Sequence, residues 1–105
     1  MTNEEIRSAV QFMMDQVHQT AVSKGWYEQP VAFTTHIALA HSELSEALEA
    51  DRKSHGRDKV AEELADVLIR TLDMAAAHNL DLAGALVEKM EKNKSRSYRH
   101  GGLKY

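Results

Sequence analysis

Residues 58–78 read DKVAEELADVLIRTLDMAAAH, and this stretch decides the fold. Val60, Leu64, Val67 and Thr71 recur at spacings of three and four, the period of one face of an α-helix. Leu68, Ile69 and Leu72 extend the apolar surface most of the way round, which places the helix at the centre of a bundle. Three more segments carry the same period. A helix over about residues 3–22 has Ile6, Val10, Met13, Met14, Val17 and Val22 on its apolar side, Asn3 as its cap and Lys24-Gly25 as its end. Another starts just after Pro30 and runs to about Arg52, with Ile37, Leu44 and Leu48 as its stripe and Ser54-His55-Gly56 as the following break. The fourth takes Asp81 as its cap and runs to about Asn93, with Leu82, Leu86 and Met90 in register. Met13, Met14 and Met90 are expected in the core, and the aperiodic SRSYRHGGLKY, residues 95–105, reads as an extended arm.

A chain of 105 residues fits one domain, here a helical domain over 1–93 with a basic arm over 94–105 that belongs to it. The single proline and five glycines are too few to punctuate a many-stranded β-sandwich, so an all-α bundle of about four helices is predicted. Bundles this small bury a limited share of their surface, and helix 58–78 is apolar on several sides. Self-association, as a homodimer or homotetramer, is the expected way to complete the core. The absence of cysteine excludes thiol catalysis, zinc knuckles, cluster ligation and disulfides. The start MTNEEIRSAV carries acids where a signal peptide carries bases, and no apolar run approaches the roughly 18 residues of a membrane span. A cytoplasmic protein without membrane contact is expected. Residues 1–90 carry a net charge of −7 and residues 91–105 a net +4. An acidic body with a basic tail suits either internal complementarity or a two-part site for a cation and an anion.

Glu43 and Glu46 stand three apart on one predicted helix, and Glu63 and Asp66 three apart on the next, so each pair projects from one side of its helix. On a helical wheel Leu39 lies within roughly 40° of Glu43 and roughly 20° of Glu46, and Glu63 lies about 40° from Val67. The acids therefore border apolar surface. Two carboxylates about 5 Å apart repel by roughly 3 kcal/mol at an effective dielectric of about 20, so either some are protonated or a cation is bound. One such pair alone signals little; two pairs on consecutive helices, both bordering apolar stripes, leave a metal site and a plain acidic face as equal readings. All-oxygen ligands suit Mg²⁺ first and Mn²⁺ second. A di-iron bundle needs Glu-x-x-His, which is absent, as are HExxH, a P-loop and GxGxxG.

Lys89 and Asn93 share a face at the end of the last helix and are followed by Lys94, Arg96, Arg99, His100, Gly101, Gly102 and Lys104. Cations and an amide near exposed backbone N–H groups suit a polyphosphate, although a helix end with dipole-complementing bases fits the charges equally. The body's −7 opposes stable nucleic-acid binding. Trp26 and Tyr27 are positioned either to stack on a base or to anchor their loop.

Three runs, GWYEQPVAFTTHIALAHSELSEALEADR, AEELADVLIRTLD and EKMEKNKSRSYRHGG, together resemble the MazG-like nucleotide pyrophosphohydrolases of the all-α NTP pyrophosphatase superfamily. The resemblance extends from about Val17 to the end of the chain. The family pattern, ExxE then ExxD on the next helix, is met by Glu43, Glu46, Glu63 and Asp66, with sixteen residues between the pairs. The resemblance implies a dimeric or tetrameric all-α hydrolase that cleaves a nucleoside triphosphate to the monophosphate and pyrophosphate, with Mg²⁺ held by the four carboxylates. It also implies that Lys89 and Asn93 face the substrate and that Arg96, Arg99 and His100 help hold phosphates. Ser97 and Leu103 depart from the family's RPYRHGGKK ending, which implies a looser, less charged arm.

The expected mechanism has Glu46 as general base, on the argument that Leu39 buries it in part and raises its basicity. Trp26 is the candidate base-reading residue. Two alternatives remain: a sister activity such as phosphoribosyl-ATP pyrophosphohydrolysis, and a non-catalytic helical oligomerisation or adaptor module whose carboxylates form only an acidic face.

Overall fold

The computed structural model describes residues 1–96, in which four α-helices follow one another: α1 Asn3–Ser23, α2 Phe33–Arg52, α3 Arg57–Ala77 and α4 Leu82–Ser95. The described chain is all-helical, as the periodicity predicts, and no described helix is long and apolar enough to cross a membrane.

Local chemistry sets the helix ends. At α1 the Thr2 hydroxyl accepts from the Glu5 N–H at 3.1 Å while the Glu5 carboxylate accepts from the Thr2 N–H at 2.8 Å, a reciprocal capping box. Thr2 is therefore the cap, one residue before the predicted Asn3, which is already helical and donates its side-chain amide to Glu91 at 3.2 Å. The chain turns after α1 at Gly25, with φ of 85°, and between α2 and α3 at Ser54 and Gly56, with φ of 56° and 100°. Asp81 caps α4 as predicted, accepting from the Gly84 N–H at 2.9 Å.

Two compact units divide the chain. Met1–Phe12 with Asp81–Tyr105 forms one, in which Val10, Ala83 and Val87 are buried. Met13–Leu80 forms the other, built on α2 packed against α3, with Met14, Ala47, Ala50, Met74 and Ala75 buried.

The burial corrects the predicted stripe of α2. Ile37, Leu44 and Leu48 are exposed, and the helix instead buries His36, Ala47 and Ala50, with Leu39, Ala40 and Glu43 half-buried. Apolar residues lie on two faces of α2, and small alanines let the backbone approach α3 closely, so the face with alanines and a carboxylate is covered and the face with leucines is not. On α3, Val60, Val67 and Thr71 are half-buried as expected, while Leu64 is exposed. Met13 and Met90 are likewise exposed, leaving Met14 as the one core methionine of the predicted three.

Candidate metal centre and cleft

Because α2 turns its alanine face toward α3, Glu43 is carried inward to meet Glu63 and Asp66. One oxygen from each of these three carboxylates lies within 4.8 Å of the others. Glu63 is buried, and its Oε2 has no hydrogen-bond partner. A buried, unpartnered carboxylate oxygen is costly unless a cation meets it. Three clustered carboxylates, one of them carrying an orphaned oxygen, fit an ion of the Mg²⁺ class.

Two cations of the chain partly neutralise the cluster. The Arg70 guanidinium donates from Nε and a terminal nitrogen to Glu43 Oε1, at 3.3 and 3.2 Å. Lys59 approaches Glu63 at 3.1 Å, and its hydrogen bond to that carboxylate, with the charges of Glu62 and Glu63, raises the ammonium pKa. The cluster remains electronegative all the same. Burial, then the charges of Glu43 and Glu63, push the Asp66 carboxyl above its ordinary range, with Arg70 opposing.

Glu46 stands beside this cluster and is exposed. Its carboxyl is raised chiefly by the charge of Glu43, then by a hydrogen bond with Glu63. The partial burial by Leu39 expected from the wheel is therefore corrected: Glu46 is more basic mainly because a like charge faces it, one turn away on the same helix.

Glu43 and Asp66 open onto a cleft of about 280 Å³ that is also lined by Trp26, Lys24, Arg70 and Asp73. The Arg70 guanidinium lies 4.9 Å from the centre of the Trp26 ring, which is 55% exposed. In the cleft wall, Asp73 accepts from the Tyr27 hydroxyl at 2.5 Å and pairs with His18 Nδ1 at 2.8 Å. The same hydroxyl lies 3.2 Å from Nε2 of the buried His36. Burial and the bond to Asp73 raise the Tyr27 phenol, and burial lowers the His36 imidazole. Tyr27 thus anchors its loop, while Trp26 faces the cleft.

Of the residues predicted from sequence, the fold brings Glu43, Glu63, Asp66 and Trp26 to one place, with Glu46 adjoining. Lys89, Asn93 and Arg96 are exposed and belong to the unit containing α4, whereas the carboxylates belong to the unit containing α2 and α3. Arg99 and His100 lie outside the described residues, as do Ser97 and Leu103. The sequence reading missed Arg70, Lys59, Lys24 and Asp73. Helical spacing signals two of them, since Arg70 follows Asp66 by four and Lys59 precedes Glu63 by four. Compared with protein-family models, curated proteins and solved structures, the chain matches none.

Proposed function

We propose that the protein is a Mg²⁺-dependent nucleoside triphosphate pyrophosphohydrolase acting as a homo-oligomer, with Mn²⁺ as a substitute ion. The observation that supports it most is the buried, unpartnered Oε2 of Glu63, whose carboxylate groups with Glu43 and Asp66, two residues that line a cleft with an exposed indole. An acidic face serving only for solubility has no reason to bury one of its carboxylates.

Glu43, Glu63 and Asp66 would hold the ion, with Glu46 as a fourth carboxylate available to it. When bound, such an ion supplies a Lewis acid for phosphoryl oxygens and acidifies water. Glu46 takes the proton of the attacking water, because the charge of Glu43 raises its carboxyl above the ordinary glutamate range. The water oxygen bonds to the α-phosphorus, the bond from that phosphorus to the α,β-bridging oxygen breaks, and pyrophosphate leaves with the electron pair. Trp26 offers its indole face to the base. Lys89, Asn93, Arg96, Arg99 and His100 are assigned to the phosphates by the sequence pattern alone.

The test is pyrophosphate release from a panel of canonical and modified NTPs, dNTPs and phosphoribosyl-ATP, with Mg²⁺, with Mn²⁺ and with EDTA. Metal-dependent release is expected, reduced at least about 100-fold in Glu63→Gln while circular dichroism stays helical. Equal release from Glu63→Gln, or none from any nucleotide, would sink the reading, and the latter outcome would favour an adaptor module.

A further inference from the structure

Arg70 makes two attachments at once. Its guanidinium donates twice to a single oxygen of Glu43, and the same planar group lies over the indole of Trp26. Both side chains of the ion pair are largely removed from solvent, at 24% and 13% exposure, so the attraction is weakly screened. Glu43 is at the same time one of three carboxylates, with Glu63 and Asp66, that each bring an oxygen within 4.8 Å of the others, and Glu63 also carries the unpartnered Oε2.

A permanently charged guanidinium cannot shed its proton to make room for a second cation. A divalent ion meeting Glu43, Glu63 and Asp66 would take over the charge that Arg70 now neutralises and would repel the guanidinium. Arg70 has somewhere to go, because it already borders the open cleft. Any such movement alters what lies over the ring of Trp26.

Resting on the metal reading above, we infer that Arg70 is an internal counter-ion that holds Glu43 until a divalent ion displaces it, and that this displacement frees the face of Trp26. Metal binding is thereby linked to exposure of the ring on which a planar ligand stacks. Arg70 is a positioning residue in this scheme: it sets the ligand Glu43 and the cleft wall Trp26 in step. By linkage, whatever favours the open ring also favours the ion.

The chain has one tryptophan, so its emission reports this position alone. The full chain, without nucleotide, is titrated with Mg²⁺ while Trp26 emission is followed, and ion uptake is measured separately by competition against Mn²⁺ in electron paramagnetic resonance. In the wild type, emission is expected to change with the same midpoint as uptake. Arg70→Gln is expected to take up the ion at least about 5-fold more tightly, with no emission change on binding. Arg70→Lys keeps the charge and so keeps the affinity near wild type, while its ammonium cannot span both contacts and the emission response shrinks. Uptake with Trp26 emission unmoved in the wild type overturns the coupling and leaves the metal site standing, as does unchanged affinity in Arg70→Gln. Ions that stay free in the wild type overturn the metal site and the coupling together.

Discussion

At Asp66, burial and the facing charges of Glu43 and Glu63 hold the carboxyl above its ordinary range. Folding therefore favours its protonated form. Stability from this group is greatest below the unfolded value near 3.9 and is lost as pH rises through the raised folded value, the reverse of a salt-bridged aspartate. Asp66→Asn is accordingly expected to raise the melting temperature in EDTA at pH 7 by roughly 2–5 °C and to flatten its dependence on pH below neutrality. The same variant should lose the stabilisation that Mg²⁺ gives the wild type. Thermal unfolding followed by circular dichroism at several pH values measures both, and a lower melting temperature for the variant in EDTA would show that Asp66 is held by contacts stronger than the repulsion. Residues such as Glu43, Glu63 and Asp66 were legible in the sequence because spacing along a helix is local information. The seat of Arg70 over Trp26 was not, since it depends on how the chain between Gly25 and Pro30 lays an indole beside a residue more than forty positions away.

The α2–α3 pair shows what periodicity does and does not decide. The extents of both helices and the turn at Ser54 and Gly56 follow from apolar spacing and turn chemistry, and they form as expected. Which face of α2 is covered does not follow, because Ile37, Leu44 and Leu48 make the stronger apolar stripe and yet lie outside. The physical reason is close approach: Ala47 and Ala50 are buried at 6% and 3% exposure, where a larger side chain would hold the helices apart. Ala47 stands four residues beyond Glu43, so the contact that buries it also sets the distance between Glu43 and the acids of α3. Ala47→Leu is expected to destabilise the fold by about 1–3 kcal/mol in urea unfolding, despite leucine's comparable helix propensity. It should also weaken Mg²⁺ binding, measured by the rise in stability the ion gives. Unaltered stability would mean that the pair has room at this point and that Glu43 is positioned by something else, Arg70 being the next candidate.

At the scale of the molecule, the leucines displaced from the α2–α3 contact become the feature to explain. Leu44 and Leu48 on α2 are 51% and 65% exposed, and Leu64 and Leu68 on α3 are 46% and 64% exposed, a line of two large apolar side chains on each helix. Covering a leucine fully is worth about 1.5–3 kcal/mol, so four left open on adjacent helices are a large share of the roughly 5–15 kcal/mol that holds an ordinary domain folded. A second copy of the chain presents the same lines and is the partner always at hand, which is why the proposal above includes a homo-oligomer. The protein is therefore expected to sediment as a dimer or tetramer at micromolar concentration. Leu48→Lys with Leu68→Lys is expected to shift it to monomer while the helical circular dichroism at 20 °C persists and the melting temperature falls and loses its dependence on protein concentration. A wild-type monomer across that range would assign the exposed leucines to a different partner, and an oligomer untouched by both lysines would move the interface to another surface.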